Sequence, residues 1–231
     1  MCSCQTTRDQ AYKMRIHEFI IESEQVLDEF SMFDRGIRKE LEKKGYQALG
    51  AGVDQEAYLE PGGQTVLKIF GTQGNTGNLS HDQRMFTKWA KFCQRNSDNP
   101  FLPRYSGWQP FDYKGETYLQ IRTELLRRPT NPKERNLVAA ISRLGYAFER
   151  YGISFLDLDK NKLSAPSYRI VSQAVGEDNV PLLLNTLLEL IHTTQRKKRY
   201  GWDLHPGNIM MRPNGQVVIN DPYVLDNDDS W

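Results

Sequence analysis

Near the end of this sequence a carboxylate that can take up a proton stands close to two side chains whose oxygens can share a cation. The stretch is YGWDLHPGNIMMRPNGQVVINDPYV, residues 200–224; Asn208 follows Asp203 by five residues and Asp221 follows Asn208 by thirteen. Two apolar runs, Ile209 to Arg212 and Val217 to Asn220, flank Pro213-Asn214-Gly215-Gln216, the pattern of a β-hairpin with a short Asn-Gly loop. Pairing Arg212 with Val217 then places Asn208 opposite Asp221, with Cα atoms roughly 4.5 to 5.5 Å apart. An amide oxygen beside a carboxylate makes a hard site of the kind Mg²⁺ prefers when phosphate oxygens complete its shell. Asp203 is then the candidate base.

A second set lies upstream. Gly50-Ala51-Gly52 ends one short run, Ala57-Tyr58-Leu59 resumes it, and Pro61-Gly62-Gly63 turns into Thr65 to Phe70. Glycines let backbone amides approach phosphate oxygens without interference from a Cβ atom. Lys68 sits between Leu67 and Ile69 in the last run, so strand alternation points it away from both. From there a lysine can reach under the loop to the α- and β-phosphates of a nucleotide, whereas no Gly-Lys-Ser/Thr loop is present.

The remaining segments must position these residues. Tyr12 to Phe30 and Asp34 to Lys44 carry apolar residues at helical spacing, and Gly45 suits the end of the second helix. Ser80 caps a helix through Gln94 with Met85, Trp89 and Phe92 as its expected buried face. That helix contains no glutamate, and Asp82 on its first turn is the nearest acid. Strands are expected over Leu102 to Trp108 and Glu116 to Leu126, with a loop from Pro110 to Gly115 between them. Backbone groups of Glu124 to Leu126 at the second strand's end are candidates for binding adenine. Helices follow at Asn131 to Tyr151 and Pro181 to Arg196, separated by a mixed region. Its Asp157-Leu158-Asp159 stretch lacks the glycine and glutamate of a calcium loop.

Composition narrows the class. Among 231 residues, 39% are apolar, enough for a packed core, and 30 basic residues against 29 acidic ones give no global attraction to nucleic acid or membrane. No apolar run approaches the roughly 20 residues of a membrane span. Three cysteines, two of them in a polar N-terminus, imply no disulfide framework and suit a reducing cytoplasm.

Taken together, Gly50-x-Gly52, Lys68, Asp203, Asn208 and Asp221 resemble the protein-kinase-like fold. More closely, the Gly-Ala-Gly loop, the Val-Leu-Lys strand, and Trp202 to Met210 followed by Asn220-Asp221-Pro222 look like the early serine/threonine protein kinases of T7-type bacteriophages. The resemblance covers about residues 46–224. It implies an α+β, two-lobed fold: a helical extension over 1–45, a first lobe of antiparallel sheet plus helix over 46–126, and a reduced second lobe over 127–231. It implies ATP and Mg²⁺ as cofactors. Lys68 would steady the phosphates with Gly50 and Gly52, Asp203 would accept or orient the substrate hydroxyl, and Asn208 and Asp221 would hold the metal. Its implied partners are protein substrates, among them host transcription or translation proteins, and the kinase itself.

Departures shape a further expectation. Pro222-Tyr223 stands where such kinases have Phe-Gly, Trp202 replaces the arginine before the catalytic aspartate, and the sequence stops ten residues after Asp221. A minimal second lobe without an activation segment is expected. Asp-Leu-His-Pro-Gly-Asn also resembles the loop of aminoglycoside and other small-molecule phosphotransferases. That class, nucleotide transfer on the same fold, and a noncatalytic pseudokinase that binds a host protein are the alternative readings.

Overall fold

The computed structural model describes residues 35–51, 55–70, 81–151, 165–196 and 200–225. The expected helix over Tyr12 to Phe30, Gly52, the segment 71–80, the Asp157-Leu158-Asp159 stretch and the basic residues 197–199 lie outside them. The described chain forms two compact units. One holds the residues up to Arg95 with Arg104–Leu125, and the other holds Asn96–Pro103 with those from Leu126 onward. The α+β class is as expected.

In the first unit, α1 (Arg35–Lys43) precedes β1 (Gln47–Ala51), β2 (Gln55–Leu59) and β3 (Thr65–Phe70); α2 (His81–Arg95), β4 (Tyr105–Tyr113) and β5 (Glu116–Glu124) follow. The strands build one antiparallel sheet in the order β1-β2-β3-β5-β4. Helix α1 stops where Gly45 adopts φ 85°. The Tyr46 amide then donates to Leu41 O at 3.0 Å and the Gly45 amide to Glu42 O at 2.9 Å, the paired bonds of a Schellman end. The stop turns Ile37 into the sheet, where it is buried with Tyr58, Leu67, Ile69 and Tyr118.

Strand β4 differs from expectation. The segment Pro110 to Gly115, read as a loop, continues the strand to Tyr113, and only Lys114 and Gly115 turn. Both have positive φ, 51° and 83°, the two-residue turn that matches strand twist. Pro110 is tolerated because β4 is an edge strand.

The second unit contains α3 (Pro132–Tyr151), α4 (Ala165–Val175), α5 (Val180–Arg196), and short strands β6 (Tyr200–Trp202), β7 (Ile209–Met211), β8 (Val217–Ile219) and β9 (Tyr223–Leu225). Val138, Ile141 and Leu144 of α3 and Leu183, Leu187 and Leu190 of α5 are buried on its apolar faces. Asn99 to Leu102, although they follow α2, are joined to this unit. Asn99 Nδ2 donates to Thr186 Oγ1 at 2.8 Å, Ile219 N donates to Phe101 O at 2.9 Å, and the buried Arg212 guanidinium donates to the carbonyls of Pro100 and Leu102.

Arg127 ties the start of α3 to the hairpin. Its amide and carbonyl exchange 2.8 Å bonds with Met211, and its guanidinium grips both Glu134 oxygens at 2.7 Å. Asn131 caps the helix by accepting from Glu134 N, with Pro132 at the first helical position. The Arg127 guanidinium holds the Glu134 carboxyl down to about 2, against an ordinary 4.5. A carboxyl whose folded value is depressed adds stability that is complete above about pH 4.5 and fades as pH falls through about 2. Glu134→Gln is therefore expected to lose about 1.5–3 kcal/mol at pH 7, and the gap should narrow steadily in urea melts run from pH 5 down to pH 2. A gap that stays constant with pH would rule out this ion pair as its source.

Candidate active site

The ladder between β6 and β9 brings the two aspartates together. Trp202 pairs with Tyr223 and Gly201 with Val224, and the next bond runs from Asp203 N to Pro222 O at 2.9 Å. The two strand ends therefore deliver Asp203 and Asp221 to one place, although β9 was not foreseen. Between them, Pro206–Asn208 form one 3₁₀ turn, closed by Asn208 N donating to His205 O at 2.9 Å.

Hairpin β7–β8 has a register one residue shorter than expected. Ile209 pairs with Ile219, Met210 with Val218 and Met211 with Val217. The loop has three residues rather than four: Gly215 N donates to Arg212 O at 2.9 Å, Gly215 takes φ 89°, and Arg212 N closes on Gln216 O at 2.7 Å. That is a turn followed by a left-handed bulge residue. Asn208 consequently faces Asn220 rather than Asp221. The Asn208 carbonyl accepts from Asn220 N at 2.9 Å and from Asp221 N at 3.4 Å, so the metal-site pair still meets through the backbone.

Asn208 is held from its side chain as well. Its Nδ2 donates to Asp203 O at 2.7 Å and to Asp203 Oδ2 at 3.1 Å. Both partners are acceptors, which fixes the amide orientation and turns Oδ1 away from them. Asp203 is about one-third exposed at its side chain, open to a substrate yet anchored. His205 Nδ1 accepts from Gly207 N at 3.0 Å, so its proton belongs on Nε2, which lies 3.8 Å from Asp203 Oδ2. A Cβ on Gly207 would come within 2.6 Å of that ring.

Hard oxygens at Asn208 and Asp221 fit Mg²⁺. Among the described residues no group of three or more His, Cys, Asp or Glu is placed to hold a metal. The remaining ligands would have to be phosphate or water oxygens, as Mg²⁺ usually has them.

Helix α3 supports the loop from behind through two residues the sequence reading missed. Ser142 Oγ donates to the Leu204 carbonyl at 2.7 Å. Gly145 leaves room for the loop's buried side chains, since a Cβ there would sit 2.8 Å from Leu204 Cδ2 and 2.9 Å from Trp202 Cζ2. A serine and a glycine on the apolar face of a helix were the available signal. Gly145→Ala is expected to destabilise by about 1–3 kcal/mol despite alanine's better helix propensity. Chemical denaturation checks it; a stabilised variant would mean that the loop yields freely.

The other candidates belong to the sheet unit. Gly50 pairs with Ala57, which pairs with Lys68, placing all three on one cross-strand row beside a bulge at Leu49. Lys68 is buried at 8% exposure, not solvated as a strand lysine usually is, and its Nζ lies 5.4 Å from the centre of the Phe86 ring. Asp82 is on the first turn of α2 as expected, and its side chain lies outside the described set. The expected buried face of α2 needs correction: Phe86, Trp89, Ala90 and Cys93 are buried, while Phe92 is only partly so. At the end of β5, Glu124 N donates to Arg104 O at 3.0 Å and Leu125 N to Gln64 O at 3.1 Å. These two amides are committed within the sheet unit. Leu126 is buried in the second unit.

No protein-family model matches the chain, and no curated protein does. Among solved structures, the bifunctional kinase-methyltransferase WbdD is similar at TM-score 0.30 and 11% identity. The match covers 78% of this chain and 31% of WbdD, so the chain spans under a third of that protein. A microcompartment-associated aminopropanol kinase is similar at TM-score 0.39 and 14% identity, over 83% of this chain and 70% of that one. The MAP kinase LmaMPK10 of Leishmania major is similar at TM-score 0.32 and 15% identity, over 80% and 48%. Likenesses this faint carry no argument about activity. Among the described residues, no helix is long and apolar enough to cross a membrane.

Proposed function

We propose that the protein is an ATP- and Mg²⁺-dependent serine/threonine protein kinase of the early phage type, acting on host proteins and on itself. The observation that carries this reading is the Asn208 side chain. Its Nδ2 is bonded to both the carbonyl and the carboxylate of Asp203, while the Asn208 backbone carbonyl receives the Asp221 amide. One residue thus sets the spacing between a proton acceptor and a metal ligand.

In this reading the Asp203 carboxylate takes the proton from a serine or threonine hydroxyl as its oxygen attacks the γ-phosphorus and ADP leaves. Asn208 Oδ1 and Asp221 would hold the Mg²⁺, which supplies charge neutralisation on the phosphate oxygens. Lys68 would steady the α- and β-phosphates, and glycines at positions 50 and 52 would let backbone amides approach them. Host transcription or translation proteins are the proposed substrates, on the strength of the motif resemblance, and the host cytoplasm is the proposed location.

The test is incubation with γ-labelled ATP and Mg²⁺ in a bacterial lysate, followed by mass spectrometry of labelled material. Label on protein serine or threonine is the expected result. Label confined to small molecules, transfer of α-phosphate, or no transfer at all would each displace this reading, in favour of a small-molecule kinase, a nucleotidyl transferase or a binding module respectively.

A further inference from the structure

We infer that Tyr146 and Glu149 of α3 select the acceptor, forming an anionic, aromatic seat beside Asp203 for a lysine or arginine close in sequence to the serine or threonine that receives the phosphate. This rests on the reading of Asp203 as the base of a protein kinase and names the substrate class of that same site. All the residues involved belong to the second unit.

Helix α3 meets the Asp203 loop along one arc. Ser142 bonds the Leu204 carbonyl at 2.7 Å, and a Cβ on Gly145 would touch both Leu204 and Trp202. Tyr146 and Glu149 follow Ser142 by four and seven residues, the spacing that keeps side chains on one arc of a helix. There the arc leaves the core. Tyr146 is 42% exposed, one of two large apolar side chains so exposed among the described residues, and Glu149 is exposed as well. The Tyr146 hydroxyl is held above its ordinary pKa of 10 by partial burial first and then by the charges of Asp203 and Glu149. Both carboxylates therefore act on one phenol.

No arginine of α3 offsets these charges. Arg143 and Arg150 lie on the same helix, yet neither acts on Tyr146 or Glu149. Among the described residues Glu149 has no ion-pair or hydrogen-bond partner, and partial burial alone raises its carboxyl above the ordinary 4.5. His205, beside Asp203, accepts at Nδ1 from Gly207 N and is therefore neutral. An incoming guanidinium or ammonium would gain the Glu149 carboxylate and the negative face of the Tyr146 ring, whereas a phosphate or an acidic side chain would be repelled by two carboxylates. A lone exposed aromatic is ordinary surface. One that feels both the proposed base and an unpaired carboxylate lies within reach of a chain whose hydroxyl is at Asp203.

Serine peptides identical except for arginine, norleucine or glutamate beside the acceptor test this. The arginine peptide should be phosphorylated with kcat/KM about three- to thirtyfold above the norleucine one, the combined range for an exposed cation–π contact and an exposed ion pair. The glutamate peptide should be the poorest substrate. Tyr146→Leu should cut the arginine advantage about two- to fivefold, and Glu149→Lys should abolish it; both variants should bind ATP within about twofold of the parent. Both side chains are exposed, so neither change disturbs the core. A readout free of turnover is the fluorine NMR resonance of a fluorotyrosine placed at position 146, which the arginine peptide should shift and the glutamate peptide should not. If that shift occurs and phosphate reaches no peptide, the kinase reading fails while the seat stands. An unmoved resonance with the arginine peptide, equal transfer to all the peptides by the parent, or an arginine advantage intact in both variants would each overturn the inference.

Discussion

Asp203→Ala is expected to lower phosphoryl transfer by about 10²- to 10⁴-fold, the range associated with a positioned general base, and to leave ATP binding within about twofold of the parent. Selectivity follows from the bonding around the loop. The Asp203 carbonyl, not its carboxylate, makes the shorter bond to Asn208 Nδ2, 2.7 Å against 3.1 Å, and the Asp203 amide holds Pro222. Both backbone bonds survive the substitution, so Asn208 and Asp221 keep their places while the proton acceptor is gone. Asn208→Ala differs, because it releases both bonds to Asp203 and removes a proposed metal ligand; transfer and metal dependence should then fail together. Single-turnover assays beside equilibrium ATP titrations separate the two variants. Transfer by Asp203→Ala at the parent rate would sink the mechanism.

Arg212→Ala is expected to cost about 3–5 kcal/mol, since each bond from a charged donor contributes about 1.5–3 kcal/mol and at least two are lost. Arg212 is only 8% exposed, and its guanidinium spans the carbonyls of Pro100 and Leu102. Removal leaves the Leu102 carbonyl buried and the Pro100 carbonyl half-buried, neither with its guanidinium donor. Arg212→Lys should recover less than half of the loss, because a single ammonium cannot reproduce the planar fork that reaches two separated oxygens. Urea melts of the three proteins test this; variants within about 0.5 kcal/mol of the parent, the ordinary range for surface changes, would show that Arg212 does not secure the segment.

The parts of the fold legible in the sequence were those whose pattern is local. Strand β3 was read at its observed limits because Thr65 to Phe70 is a β-branched and apolar run bounded by Pro61-Gly62-Gly63 and Gly71. Helices α3 and α5 were read within a residue or so from their apolar spacing. The five-residue step from Asp203 to Asn208 was legible for the same reason, since one turn spans it.

What escaped depended on partners distant in sequence or on fine turn geometry. Three residues, Tyr223 to Leu225, carry no strand signal alone; they form β9 because Tyr200 to Trp202 offers them a ladder. The hairpin register turned on whether Gln216 belongs to the loop or the strand, which the left-handed Gly215 decides. On α2, Phe86 rather than Phe92 is fully buried, because the sheet face carrying Lys68 and Phe70 selects one arc of a helix that is apolar over a wider one. Helix α4 lay in a region read only as mixed.

The bonds that join Asn99 to Leu102 to the second unit also set an order of events on the ribosome. Arg212 bonds carbonyls 110 and 112 positions earlier in the chain, so those partners leave the exit tunnel long before it does. At about 5–20 residues per second, Phe101 and Leu102 wait roughly 5–20 s for the hairpin that covers them. The nascent protein carries this apolar segment without its partners for about half of its own synthesis, and a chaperone that recognises short hydrophobic stretches would find it there, whereas Phe101 and Leu102 are buried on the finished molecule.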